Sequence, residues 1–169
     1  MRQYLYQPEG SAYRLELFEV PVPPLGPHSV QVRLRAASLN YRDLINCRKQ
    51  AGREVAGIVP LSDAAGEVIA VGNEVTEWKP GDRVAGCFFP NWQSGRFEMR
   101  HHREDLGGSA PGVLSEIVAF PETGVVRVPD CLDYLEAATL PCAAVTAWTA
   151  LTSRGNFQAG ESLLVLGTG

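Results

Sequence analysis

Apolar and polar side chains alternate along Ser29-Val-Gln-Val-Arg-Leu-Arg-Ala-Ala37. Because successive side chains of a β-strand point to opposite faces of the sheet, a period of two predicts a half-buried strand. The positions expected to face the core are Val30, Val32, Leu34 and Ala36. Those expected to face the solvent are Gln31, Arg33 and Arg35. This is the clearest strand in the chain.

Shorter strands are predicted before and after this one. Residues 2–7 and 13–20 form two strands on either side of the turn Pro8-Glu-Gly-Ser11, and further strands follow at 66–72, 83–89, 114–120 and 125–128. The prolines of residues 21–27 forbid regular ladder bonding, so we expect an extended surface connection there. Residues 90–113 lack apolar periodicity and are interpreted as a long loop, a kind of segment that is often functional.

Composition excludes several classes of protein. The chain has 169 residues, 45% hydrophobic and 20% charged, as in a globular domain and unlike a disordered chain. With 8% aromatic residues, its 17 glycines and 12 prolines favour a turn-rich β fold over a helical bundle. A net charge of -4 leaves no basic surplus for nucleic acid. Without a membrane-length apolar run or a secretory leader, we expect a soluble, cytoplasmic protein.

The pattern changes at Pro129, after which helical periodicity replaces the strands. Asp133 is predicted to cap a helix, with Glu136 as the reciprocal acid. Ala143–Thr152 is apolar on nearly every side, which predicts a buried helix. Glu161–Gly169 reads as a buried strand running into a glycine turn. Since a parallel strand without partners is not stable alone, we expect the chain to be part of a longer protein.

Two stretches allow both a structural and a functional interpretation. At Asn40-Tyr-Arg-Asp43, directly after the clearest strand, Asn40 and Asp43 could cap a helix, or Asn40 and Tyr41 could donate hydrogen bonds to a carbonyl. Gly167-Thr-Gly169 could approach the pyrophosphate of a dinucleotide, or it could be an ordinary turn after a strand.

Taken in order, these motifs resemble the medium-chain dehydrogenase/reductase superfamily over residues 1–169. The most specific segments are residues 37–43, 66–72, 81–84 and 140–148. Within the superfamily, Asn40–Asp43 and Phe88-Phe-Pro-Asn-Trp92 resemble the zinc-free, quinone oxidoreductase-like branch. The resemblance implies a mainly β fold. A GroES-like, partly closed β-barrel would span residues 1–128, and the first helices and strand of a truncated Rossmann α/β domain would span 129–169.

The resemblance also implies that both zinc sites of the superfamily are absent. A catalytic zinc needs three protein ligands around an open position. Zinc-dependent members have a cysteine where Asn40 stands and a histidine where Ser62 stands. Only Cys142 matches a ligand, and it is interpreted as a small buried thiol. The loop after Cys87 lacks the close cysteines of the structural zinc lobe, and His101-His102 in that loop are interpreted as solvated.

Site residues follow from the same resemblance. Without a metal, hydrogen-bond donors must polarise the substrate carbonyl, and the candidate catalytic residues are Tyr41, Asn40, Ser62 and Asp63. The candidate cofactor-binding residues are Asn40, Tyr41, Thr146, Gly167 and Gly169. The substrate pocket is expected to include Asn91 and Trp92, although ordinary packing accounts for Trp92 equally well.

We therefore expect a zinc-independent oxidoreductase that transfers hydride between a nicotinamide and a carbonyl, an activated alkene or a quinone. NADP(H) is favoured over NAD(H) by analogy with the branch. The alternative is a non-enzymatic GroES-like module that binds a ligand or partner. We expect a small-molecule substrate, a homodimer at full length, and no nucleic-acid or membrane partner. The 169-residue chain alone is expected to be inactive, and to self-associate or fray after about Gly155.

Overall fold

The computed structural model describes residues 1–50 and 52–167, which form seven strands and several short helices. The strands are β1 Arg2–Glu9, β2 Ala12–Glu19, β3 Ser29–Ser38, β4 Asp63–Val71, β5 Arg83–Gly86, β6 Ile117–Pro121 and β7 Val125–Arg127. The α-helices are α1 Tyr41–Cys47, α2 Tyr134–Ala138 and α3 Val145–Trp148. Wider π-helical turns flank α3 at Leu140–Ala144 and Thr149–Arg154, and 3-10 turns lie at His101–Arg103 and Glu122–Gly124.

The strands form two antiparallel sheets. β1 and β2 make a hairpin, and the other five strands pair in the order β6-β3-β4-β5-β7. The five-stranded sheet curls into a half-barrel, which confirms the predicted mainly β, GroES-like fold. No helix among residues 1–50 and 52–167 is long and apolar enough to cross a membrane. The predicted domain division at residue 128 stays a prediction.

The core confirms the alternation from which the fold was predicted. On β3, Val30 and Val32 are almost fully buried, whereas Arg33 and Arg35 are exposed. The valines pack with apolar side chains of the neighbouring strands, among them Val68, Val84 and Phe120. The buried face of β3 therefore anchors one end of the segment that carries Asn40 and Tyr41.

Some strand ends differ from the predicted ones because the backbone finds other partners there. β5 ends at Gly86, opposite Val125 of β7, and does not continue to residue 89. β6 begins at Ile117, since the preceding backbone bonds to separate segments. Leu114 N donates to Pro60 O and Glu116 N to Arg2 O. β4 begins at Asp63, three residues before the predicted start.

The close approach of β3 and β4 requires a glycine at position 66. A Cβ atom on Gly66 would lie 2.3 Å from the carbonyl oxygen of Arg33. No side chain fits at that distance without moving one of the two strands. The glycine therefore fixes how tightly the two strands pack, just beyond the start of β4, where Asp63 lies.

α2 has the predicted capping box. Asp133 Oδ1 accepts from Glu136 N at 2.8 Å, and Glu136 Oε2 accepts from Asp133 N at 2.9 Å. Ala137 and Ala138 are buried against Ala65 of the sheet and its neighbours. The predicted helix start is therefore confirmed, and α2 packs on the half-barrel.

Beyond α2 the structure departs from the predictions. Residues 143–152 are helical but exposed along most of their length, with Trp148 70% accessible, where burial was expected. Residues 161–167 form no strand, and Leu163–Leu166 are exposed. A buried parallel strand needs neighbours on both sides, and no strand of the described residues lies beside this segment. Gly169, a predicted cofactor residue, lies outside the described residues.

Candidate functional site

The first part of the candidate site is the start of α1. Asn40 stands in extended backbone before the helix, and its N–H donates to Asp43 Oδ2 at 2.8 Å, as expected for a helix cap. The side-chain amide nitrogen of Asn40 is shielded from solvent and has no acceptor among the described residues. Tyr41, the next residue, is 71% exposed. Capping therefore uses the backbone of Asn40 and leaves its side-chain donor available.

The second part of the site is the segment Leu61-Ser-Asp63 at the start of β4. Ser62 and Asp63 are buried, and Ser62 Oγ donates to Asp63 Oδ1 at 2.7 Å. The other oxygen, Asp63 Oδ2, accepts from the backbone N–H of Cys142 at 2.9 Å. One carboxylate thus joins Ser62 to the segment that leads into α3.

Leu61 has an unusual backbone conformation for its residue type. Its φ is 66°, in the left-handed region that branched or bulky residues seldom adopt, and its side chain is buried. Gly107 packs directly against it, because a Cβ there would lie 2.4 Å from Leu61 O. Such strain persists only where the surroundings hold it in place, and it is most common at functional sites.

Burial governs the electrostatics of the site. It raises the pKa of Asp43 above its ordinary value, and the charge of Asp63 acts in the same direction. The hydrogen bond from Asn40 N–H and the charge of Arg42 lower that pKa but do not cancel the rise. Burial also raises the pKa of the Cys142 thiol, again with Asp63 acting in the same direction. The Thr146 hydroxyl lies close enough to bond that thiol and opposes the rise. Asp63 therefore influences the charge state of both Asp43 and Cys142.

The side chains do not fit a catalytic zinc. Within residues 1–50 and 52–167, no three or more His, Cys, Asp or Glu side chains group closely enough to hold a metal ion. Asn40 and Ser62 are poor zinc ligands, and both oxygens of Asp63 already accept hydrogen bonds. Cys142 is the one residue of the usual zinc-binding kind at the matched positions, and a single thiol does not hold zinc.

An apolar cleft of about 380 Å³ lies beside these groups. One wall is formed by Phe88, Phe89 and Trp92, and the opposite wall includes Pro129 and Pro141. Pro141 precedes Cys142, whose backbone N–H donates to Asp63 Oδ2, so part of the cleft wall belongs to the segment that binds the buried carboxylate. The predicted pocket residue Trp92 lines this cleft. Asn91 is exposed and does not line it.

The loop that carries the aromatic wall has a small core of its own. His101 is buried there, its ring 5.2 Å from Phe97 and 6.0 Å from Trp92, and its Nδ1 accepts from Glu98 N at 3.0 Å. The expectation of a solvated His101 was wrong, because the 3-10 turn at His101–Arg103 directs its ring into this cluster. The neighbouring His102 is exposed, as expected.

Sequence reasoning missed two charged residues of the site. Arg42 donates from Nη1 to Asp105 Oδ2 at 3.1 Å and from Nη2 to Leu106 O at 2.6 Å. Its guanidinium carbon lies 4.7 Å from the centre of the Phe88 ring. Arg42 stood within the motif at residues 40–43, but nothing around Asp105 in the sequence marks it as buried. Only the fold brings the two residues together.

The predicted cofactor residues are only partly brought together. Thr146 lies next to Cys142, although its own surface is exposed. Gly167 is exposed and has a φ of 79°, in the region that glycine tolerates. The roles of both residues stay predictions.

Comparisons with known proteins agree with this architecture. Residues 26–130 match the family described as the alcohol dehydrogenase GroES-like domain. A zinc-type alcohol dehydrogenase-like protein of Schizosaccharomyces pombe is 41% identical over 157 residues, which are 91% of this chain and 45% of that protein. The NADP-dependent alcohol dehydrogenase C of Mycobacterium tuberculosis is 30% identical over 160 residues, 85% of this chain and 46% of the relative.

A solved structure shows the same backbone. The crystal structure of a candidate alcohol dehydrogenase from Sinorhizobium meliloti superposes with a TM-score of 0.84 at 45% identity, over 94% of this chain and 48% of that one. The chain therefore spans about half the length of the relatives it matches. On this evidence, the chain belongs to the alcohol dehydrogenase GroES-like domain family, within the medium-chain dehydrogenase/reductase superfamily.

Proposed function

We propose that the full-length protein is a zinc-independent oxidoreductase that transfers hydride between NADP(H) and a carbonyl, an activated alkene or a quinone. The substrate would bind in the apolar cleft beside Phe88 and Trp92. The observation that carries the proposal is the side-chain amide of Asn40, a donor without an acceptor, one residue before the exposed hydroxyl of Tyr41. A shielded donor without a partner costs free energy, so it needs an explanation, and a bound oxygen atom supplies one.

The chemistry of the site follows from this pair of donors. When bound, a nicotinamide would supply the hydride for the substrate carbon, so negative charge would develop on the substrate oxygen. Asn40 and Tyr41 donate to that oxygen, and their hydrogen bonds strengthen as the charge develops. Donors that are fixed before the reaction need not reorganise during it, which is why they lower the barrier.

Ser62 and Asp63 have a supporting role in this proposal. The hydroxyl of Ser62 already donates to Asp63, and both residues are buried, so neither offers a free donor to a substrate. Asp63 instead holds the backbone of Cys142, and with it the start of the helix that carries Thr146. Their contribution is to hold the segment at Cys142, on which the nicotinamide would rest, against the start of β4.

The proposal of a zinc-independent reaction rests on the chemistry of the side chains. Neither Asn40 nor Ser62 is a zinc ligand of the usual type, and Cys142 alone does not hold zinc. NADP(H) is proposed over NAD(H) by analogy with the quinone oxidoreductase-like branch; among the relatives, the Mycobacterium tuberculosis protein is NADP-dependent and a 32% identical solved alcohol dehydrogenase is NAD-dependent.

Turnover by the full-length protein tests the proposal. Benzaldehyde, cinnamaldehyde and 1,4-naphthoquinone cover the three proposed classes of substrate, and consumption of NADPH or NADH is followed by absorbance. We expect at least one probe to be reduced, faster with NADPH than with NADH. Failure of all three probes with both cofactors would contradict the proposal and favour a non-enzymatic ligand-binding module.

A further inference from the structure

Arg42 links three segments of the candidate site through one guanidinium group. Nη1 donates to Asp105 Oδ2 at 3.1 Å, and Nη2 donates to Leu106 O at 2.6 Å. The guanidinium carbon lies over the ring of Phe88, 4.7 Å from its centre. Only 19% of the side chain is exposed. Arg42 thus contacts the aromatic wall of the cleft from the helix that begins with Tyr41.

The loop that holds Arg42 is itself fixed in place. Asp105 is buried and also accepts from Arg53 Nη1 and from Ser109 N. Asn46, one turn along α1 from Arg42, donates from Nδ2 to Gly107 O at 3.1 Å. Gly107 in turn packs against Leu61. The ion pair therefore lies where α1, the segment before β4 and the aromatic loop meet.

We propose that Arg42 is a positioning residue, which fixes the ring of Phe88 relative to the donors of Asn40 and Tyr41. This inference rests on the proposed function, because its consequence for catalysis depends on a substrate in the cleft. Arginine suits the task because its planar group binds Asp105 through one edge and stacks on Phe88 through its face. A lysine retains the charge but has neither the paired N–H groups nor the planar surface of a guanidinium.

The expected consequence is selective for the substrate. When Phe88 is no longer held, substrates that pack against the ring lose a preformed wall, whereas small substrates lose little. We expect Arg42→Lys to raise the KM for 1,4-naphthoquinone about tenfold, the order of one cation–π contact. The KM for 1,4-benzoquinone, kcat with both quinones and the affinity for NADPH should change much less. Loss of stability alone would lower the amount of active enzyme and leave this KM pattern unchanged.

Arg53→Lys is the matched control. Arg53 also pairs with Asp105, at 2.9 Å, but within the part of the chain that the structure describes it makes no cation–π contact with Phe88. We expect this variant to keep the wild-type KM for both quinones. A second variant, Phe88→Leu, removes the ring itself. If Arg42 acts through the ring, adding Arg42→Lys to Phe88→Leu will raise the KM for naphthoquinone by much less than it does in the wild type.

The experiment uses the full-length protein and adds hydrogen exchange of residues 86–92 as a readout that needs no activity. We expect faster exchange there in Arg42→Lys than in Arg53→Lys. Equal exchange in the two variants, or equal KM changes for the two quinones, would overturn the positioning role.

If the wild type reduces no probe, the proposed function fails by itself, and the exchange result still decides whether Arg42 holds Phe88. If Arg42→Lys does not fold, an unchanged naphthoquinone KM in Phe88→Leu would overturn the inference.

Discussion

Replacement of Asp105 by alanine should destabilise the site strongly. The carboxylate side chain is only 5% exposed and accepts from Arg42, which is 19% exposed. Removing one partner of a buried ion pair costs about 3–5 kcal/mol, because the other charge stays buried without compensation. Arg42 keeps its bond to Leu106 O and some contact with water, so we expect the lower end, about 3 kcal/mol. Ser109 N also loses a side-chain acceptor.

The matched variant is Arg53→Ala, which removes the other arginine from the same carboxylate. The Arg53 side chain is 37% exposed, so its ion pair is screened by water and should contribute at most about 1 kcal/mol. Native-state hydrogen exchange of the full-length protein measures both effects at the amides of α1 and residues 105–110. A loss of about 3 kcal/mol raises the opening equilibrium about 100-fold. Equal effects of the two variants, or a loss below about 1 kcal/mol in Asp105→Ala, would refute the reasoning.

Three further outcomes follow from the site and the sheet. The pKa of Asp43 is raised by burial, so the folded state binds the proton more tightly, and stability should fall as pH rises from near 3.8 through the raised value. Asp43→Asn should lack this fall when urea unfolding is compared between pH 4 and 7, and parallel curves would contradict it. Tyr41→Phe should lower kcat about 10²–10³-fold with unchanged NADPH affinity, whereas wild-type turnover would leave Asn40 as the remaining donor. Gly66→Ala should lower the free energy of unfolding by at least about 1–3 kcal/mol, since its Cβ would lie 2.3 Å from a carbonyl oxygen. Gly10→Ala, in open space with a φ of 56°, should lower it by about 1 kcal/mol. Equal urea midpoints for the two variants would contradict this difference.

The elements that could be predicted from the sequence are those whose signals are local. The alternation of Val30 and Val32 and the capping pair of Asp133 and Glu136 depend on neighbours in the chain, and both were confirmed. The burial predicted for residues 143–152 and 163–166 depended on partners distant in the sequence, and these segments are exposed in the structure.

The residues of the candidate site also divide into those with local sequence signals and those brought together only by the fold. Asn40 and Tyr41 stand out in the sequence because four polar residues directly follow a clear strand. The bond from Cys142 N to Asp63 spans 79 residues, and the pair of Arg42 and Asp105 spans 63. Local periodicity carries no information about contacts at such separations. His101 was misjudged for a related reason, since its aromatic neighbours contact it only once the loop has folded.

In the proposed reaction, hydrogen-bond donors, and not a zinc ion, polarise the substrate. The most direct measurement is the initial rate of NADPH oxidation by 1,4-naphthoquinone with the full-length protein, before and after prolonged treatment with a strong zinc chelator. We expect the same rate in both samples, because Asn40 and Tyr41 need no metal. A rate that falls to background after chelation and returns when zinc is added would contradict it.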